Sequence, residues 1–215
     1  MSEGKNSSEI KEALVSGGRY LDHKGLTPGT TGNLSVIADG RLYCTPTGSN
    51  LGRLMAQEIS ELDLAGNHLG GLKPTKEVKM HLAIYNASDS VNAIVHLHST
   101  YSTAVSCLVP QNPNNCIPAL TPYLTMKAGD VSLIPYFAPG DELICEPIVK
   151  RINTGTRVML LANHGNIIAS TSLSNSITIA EELEEACKVQ VFTSALNPRT
   201  LSLAEIALLK NRYPN

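Results

Sequence analysis

The sequence predicts an α/β chain of the α+β type, with a central, mostly antiparallel sheet flanked by helices. Two turn signals and one rhythm carry that prediction. Asp39-Gly40 separates two β-rich runs, 33–38 and 41–45, which is the strongest short-range hairpin signal a sequence offers. Asn163-His164-Gly165 likewise separates the apolar runs 157–161 and 166–169. Elsewhere helical and extended segments alternate without the regular β-α-β repeat of a parallel sheet. With 215 residues and no compositional break to mark a linker, the chain reads as one domain, 1–215.

Taken in order, the first helix is expected over about 8–24, where Ile10, Ala13, Leu14 and Leu21 keep helical spacing and Gly25 supplies the stop. A loop, 26–32, leads into the first hairpin, and a second loop, 46–50, leaves it. A strand follows at 59–64 with a turn at 65–67. Residues 76–86 place Val78, His81, Leu82 and Tyr85 on related faces of a helix, and 92–97 reads as a buried strand. Ser99 or Thr100 then caps the start of another helix. Residues 109–130 are rich in Pro and Asn and are expected to be irregular. A strand at 131–135, a helix at 141–152, the second strand pair, a long helix at 173–196 and a short one at 203–211 complete the chain.

Composition excludes several classes. Charged residues are 17% and the formal net charge is −2, so the chain carries no basic footprint for nucleic acid or an anionic membrane. Trp is absent and Phe occurs twice, which leaves the core to aliphatic residues. The five cysteines are odd in number and scattered, with no C-x-x-C, as free thiols in a reducing compartment would be. The stretch Met1 to Ser8 is polar with no apolar h-region, and no window approaches the ~20 apolar residues of a membrane helix. The expected location is the cytoplasm.

The chemistry centres on His96-Leu97-His98. Residues two apart on a strand share a face, and two neutral imidazoles there can grip one transition metal; the same spacing also fits ordinary structural histidines. Catalysis needs a further ligand and an open coordination position. His164 is the candidate third ligand. Glu77 is a candidate acid or base, or else an ordinary glutamate in a first helical turn. Three loops, 30–33, 45–49 and 74–76, combine Gly or Pro with hydroxyl, amide or ammonium donors. Together they suit one phosphate, with Lys76 at a helix N-terminus, while each alone reads as a turn or cap. No G-x-x-x-x-G-K-[ST] or G-x-G-x-x-G occurs, so neither a nucleoside triphosphate nor a dinucleotide is indicated. His81 reads as structural, His23 and His68 as solvated, Tyr123 as packing, and the block Glu181 to Glu185 as a solvated helix face.

The segments G-N-L-S at 32–35, T-P-T-G-S at 45–49, P-T-K-E at 74–77, V-H-L-H-S at 95–99 and A-N-H-G at 162–165 occur in this order. As a set they resemble the class II aldolase family, which includes fuculose-phosphate aldolase and ribulose-phosphate 4-epimerase. The stretches 96–108, 120–126 and 135–140 are similar to its 3-oxo-tetronate 4-phosphate decarboxylase branch. The resemblance implies a three-layer fold with Zn2+ on His96, His98 and His164; three histidines suit Mn2+ or Co2+ as well. It implies Glu77 as the acid/base group, touching the metal when no substrate is bound, and a phosphate pocket at Gly32, Asn33, Thr47, Gly48, Thr75 and Lys76. Many relatives carry two serines where this chain has Thr75-Lys76. Tyr123 is the implied proton donor, and relatives form homotetramers with active sites between subunits, so Tyr123 would serve a neighbour.

The implied substrate is a phosphorylated four-carbon sugar acid, cleaved to dihydroxyacetone phosphate and CO2 in sugar-acid catabolism. Its carboxyl group lies β to a ketone, so its loss leaves an enediolate, which a metal stabilises as a Lewis acid. Breaking the bond needs no base. Protonating the carbon afterwards needs an acid, Glu77 or Tyr123. A sugar-phosphate aldolase or 4-epimerase shares this machinery and is the alternative. The remaining rivals are a non-catalytic scaffolding domain, of the kind that has lost metal ligands, and a purely structural zinc site, which would want a closed fourth protein ligand.

Overall fold

The computed structural model describes residues 6–213. Residues 1–5 of the polar start lie outside the described residues, as do 214–215. The strands are β1 (Asn33–Ala38), β2 (Arg41–Cys44), β3 (Ser60–Asp63), β4 (His68–Gly70), β5 (Ala93–Leu97), β6 (Val131–Ile134), β7 (Val158–Leu161) and β8 (Gly165–Ser170). The helices are α1 (Ser7–His23), α2 (Val78–Ala87), α3 (Thr100–Ser106), α4 (Pro122–Ala128), α5 (Cys145–Asn153), α6 (Leu173–Thr193) and α7 (Leu203–Arg212). The strands make one sheet in the order β4-β3-β2-β1-β5-β8-β7-β6. Every neighbouring pair is antiparallel except β6 with β7.

Local chemistry explains the boundaries. Asn6 caps α1 by accepting from the Glu9 N–H at 3.0 Å, while the Glu9 carboxylate accepts from the Asn6 N–H at 3.2 Å, a reciprocal capping box. Gly25, at φ +73°, follows the helix end in a conformation that costs glycine little. The β1–β2 turn uses Asp39 at φ +50° and Gly40 at φ +72°, and two positive φ values match the twist of a tight hairpin.

Two aliphatic clusters define three layers. On one face Leu34, Val95, Leu97, Leu160 and Ile168 pack with Ile10 and Leu14 of α1, Val105 of α3, Leu124 of α4 and Leu183 of α6. On the other Leu42, Ile94, Met159, Ile167 and Ala169 pack with Met80 and Ile84 of α2 and Ile148 and Ile152 of α5. The central strands β5, β7 and β8 are buried throughout. The alternation puts Val95 and Leu97 toward α1 and α6, and Ile94 and His96 toward α2.

Four expectations are corrected. The span 109–130 is not irregular throughout: 122–128 forms α4, with Pro122 in its first turn, where a missing N–H costs nothing. The turn at 65–67 forms as expected, and β4, a short edge strand with a register shift against β3, follows it. The helix expected from 141 begins as a 3₁₀ turn, Glu142–Ile144, and the long helix closes with another, Ser194–Leu196. The block Glu181 to Glu185 is not wholly solvated, because Glu184 is buried. Among the described residues no helix is long and apolar enough to cross a membrane.

Candidate metal centre

The site grows out of three adjacent strands and the start of one helix. His96 lies on β5, paired with Asn33 of β1 on one side and Ile167 of β8 on the other. His98 stands just past the end of β5. His164 sits in the β7–β8 turn, directly after Asn163 at φ +56°. One ligating atom from each of His96, His98 and His164 lies within 4.8 Å of the others. The rings meet edge-on, with centroids 4.6, 4.9 and 5.0 Å apart, and His98 Nε2 is 3.0 Å from His96 Nε2.

The chemistry of this donor set fits a divalent cation. His96 is fully buried, and its Nδ1 is 2.6 Å from the Asn166 carbonyl, which only accepts. Nδ1 thereby keeps its proton on the carbonyl, the usual second partner of a ligating imidazole, and Nε2 is the atom turned toward the cluster. Burial, reinforced by the positive potential of His96, pushes His98 down to about 3. Burial, again with His96 behind it, also lowers His164. Both rings are thereby held toward the neutral form that can bind a metal.

Glu77 supplies the carboxylate. Its side chain begins at the N-cap of α2, where Oε2 lies 3.2 Å from His96 Nε2 and Oε1 3.5 Å from His164 Nε2. Burial is the largest single influence on this carboxyl and acts upward, but His96, the Asn33 amide and His164 together outweigh it and hold it well below the usual range. The same contacts to Glu77 outweigh burial at His96 and raise it.

The three donor loops are tied to one another and, through Asn33 and Thr75, to Glu77. Asn33 donates from Nδ2 to Glu77 Oε2 at 2.7 Å. Pro46 and Pro74 form an isolated antiparallel bridge that ties the Thr47-Gly48 loop to the loop before Glu77. Thr75 is buried, and its Oγ1 accepts from the Glu77 N–H at 3.3 Å. Gly32 has φ +79°, and a Cβ there would meet the His96 carbonyl at 2.8 Å. Gly48 has φ +70° and open space around it, and Lys76 is exposed. Lys76, Glu77, Gly140, Cys145 and His164 line one cavity that opens beside the histidine cluster. Tyr123 is 56% exposed on α4, and among the described residues no hydrogen bond or ion pair joins it to the histidines.

Sequence reasoning missed two supports. Asn166 secures His96 through its carbonyl, and its Nδ2 donates to Ser102 Oγ at 2.9 Å. Glu184 accepts from the Tyr101 and Ser102 N–H groups at 2.7 and 2.9 Å, so α6 caps the helix that follows His98. A buried glutamate inside an acidic block gives no local signal, whereas a polar residue opening an otherwise apolar strand at 166 does.

Two predictions follow from this packing. A Cβ at Gly165 would lie 2.3 Å from the Leu97 carbonyl, between the strand ends that carry His98 and His164. Gly165→Ala is expected to lose about 1–3 kcal/mol of stability and to bind metal more weakly, as urea unfolding and metal titration would record; wild-type behaviour in both would contradict the close approach. Glu184→Gln puts an amide where two backbone donors need acceptors, with an expected loss of about 1–3 kcal/mol in the same unfolding assay.

The fold and this site together define a class. Residues 12–191 match the family described as Class II Aldolase and Adducin N-terminal domain, and the chain belongs to that family. It is 45% identical over 203 residues to the 3-oxo-tetronate 4-phosphate decarboxylase of Haemophilus influenzae, covering 94% of this chain and 96% of that one. In structure it is similar to YgbL of Klebsiella pneumoniae, described in terms of aldolase, epimerase and decarboxylase activities, with TM-score 0.92, 40% identity, and 96% and 100% of the two chains covered. It is also similar to an L-fuculose 1-phosphate aldolase, with TM-score 0.88, 30% identity and both chains covered in full.

Proposed function

We propose that the chain is a metal-dependent carboxy-lyase that converts a 3-oxo-tetronate 4-phosphate to dihydroxyacetone phosphate and CO2 through an enediolate, within sugar-acid catabolism in the cytoplasm. One observation carries the reading: three neutral-capable imidazoles and Glu77 converge beside a cavity, in a chain that is 45% identical, over nearly all its length, to a decarboxylase of that name. His96, His98 and His164 would hold the metal, Zn2+ by preference, with Mn2+ and Co2+ suiting the same donors. When bound, that cation supplies Lewis-acid stabilisation for charge developing on the substrate.

The chain's own groups do the rest. The N–H and hydroxyl groups around Gly32, Asn33, Thr47, Gly48 and Thr75, with the Lys76 ammonium, hold the substrate phosphate and so fix the far end of the breaking bond. The full burial of His96 and partial burial of Glu77 limit the access of bulk water to the reacting carbon. Glu77, a carboxylate at rest, takes up one proton from solvent and passes it to the carbon after CO2 leaves. Tyr123 is a second donor, presented to the site of a neighbouring subunit in a homotetramer.

A sugar-phosphate aldolase or 4-epimerase is the second reading, favoured by the full-length similarity to the fuculose-phosphate enzyme. One assay separates them. Metal-loaded protein is incubated in parallel with a 3-oxo-tetronate 4-phosphate, fuculose 1-phosphate and ribulose 5-phosphate. CO2 release from the first is the expected result. Aldehyde from the second, or epimer from the third, without CO2 would replace the proposal.

A further inference from the structure

Beneath the metal cluster lies a buried polar chain that the reaction as described does not use. His81 is fully buried on α2, one helical turn after Glu77. Its Nδ1 is 2.7 Å from Ser35 Oγ, and Ser35 Oγ is 2.8 Å from Tyr85 Oη. At the other end His81 Nε2 is buried with no partner, and so is Asn33 Oδ1. Asn33 and Ser35 lie two apart on β1 and face the same side of the sheet, the side α2 covers.

The protons can be assigned by elimination. A carboxylate only accepts, so Asn33 must turn Nδ2 toward Glu77, which leaves Oδ1 as a free acceptor. If Tyr85 donates to Ser35 and Ser35 donates to His81 Nδ1, both hydroxyl hydrogens are used and the imidazole proton sits on Nε2. The opposite direction takes the phenol hydrogen off Ser35 Oγ, the one side-chain hydrogen-bond partner of Tyr85 Oη among the described residues. One unpaired donor and one unpaired acceptor therefore remain in the same layer, and they are complementary. Leaving both unmade is costly in a buried place, and a single buried water is the ordinary bridge between such groups.

We propose that His81 is a positioning residue for Glu77: as the Nε2–H tautomer it is joined through one water to Asn33 Oδ1, which locks the Asn33 amide with Nδ2 on the Glu77 carboxylate. The chain Tyr85–Ser35–His81–water–Asn33–Glu77 then fixes the orientation of the acid/base group. This rests on the role proposed for Glu77, and the test separates the two.

The full-length, metal-loaded protein is examined by ¹⁵N NMR of its histidine rings, with His81 assigned by difference from His81→Gln. A proton on Nε2 is expected, and a proton on Nδ1 overturns the proposal whatever the enzyme's activity. Steady-state kinetics then compare His81→Gln, which keeps a donor near the Nε2 position, with His81→Met, which keeps volume alone. The expected result is a fall in kcat of about tenfold or more for His81→Met, with KM and metal content unchanged and recovery to within about threefold in His81→Gln. A folded His81→Met variant with wild-type kcat would overturn the proposal. If that variant does not fold, the tautomer decides. If the wild-type protein shows no lyase activity but the ring carries Nε2–H, the role of Glu77 has failed and the hydrogen-bond chain stands.

Discussion

His98→Ala is expected to abolish both metal binding and turnover. The imidazole at 98 approaches His96 to 3.0 Å from a position just beyond β5, and neither of the other two histidines can replace it, since each is held in its own strand or turn. Two histidines and a carboxylate would remain, but Glu77 would then have to act as a permanent ligand and give up its proton chemistry. Metal-site Lewis acidity is worth several kcal/mol of transition-state stabilisation, so the expected loss of turnover is roughly 10³-fold or more. Atomic absorption of the purified variant should fall from about one divalent ion per chain, as a single three-histidine site requires, to near zero. A variant that keeps its metal and its rate would remove His98 from the site.

Glu77→Gln is expected to split those two readouts. The amide is isosteric, and its carbonyl oxygen still accepts from Asn33 Nδ2, so the loop before α2 and the three histidines keep their places. The side chain can no longer carry a proton between solvent and substrate. Metal content should stay at the wild-type level while turnover falls by roughly 10²–10⁴, the range for a lost general acid or base. Unchanged turnover would transfer the proton to another group, with Tyr123 the first to examine. Loss of metal together with turnover would make Glu77 an obligatory ligand.

The legible parts of the molecule were those governed by short-range rules. The hairpin at Asp39-Gly40 declares itself because two adjacent residues supply both positive φ values. The pairing of His96 with His98 follows from a strand period of two. Their meeting with His164 is a long-range fact: it depends on β5 lying against β8 with His96 opposite Ile167, a register that no local pattern specifies. The family resemblance supplied what periodicity could not. The parts that escaped are of the same long-range kind. Helix α4 exists because Leu124 has a buried seat among residues of other elements, and its Pro122 reads locally as a breaker. Glu184 becomes a cap only when α6 is laid against α3. His81 reads locally as an ordinary helix histidine, and its unpartnered Nε2 becomes visible only with Ser35 and Asn33 in place.

Catalysis as proposed depends on the Nε2 atoms of His96 and His98 and the ring of His164 closing around one divalent ion that retains an open position. Anomalous diffraction at the metal edge, from crystals of the metal-loaded protein, tests this directly. The predicted result is a single strong peak at bonding distance from all three rings, about 2.0–2.1 Å from nitrogen if the ion is zinc, with at least one further coordination site facing the cavity beside Lys76 and Gly140. A peak elsewhere, or a closed fourth protein ligand with no exchangeable position, would contradict it.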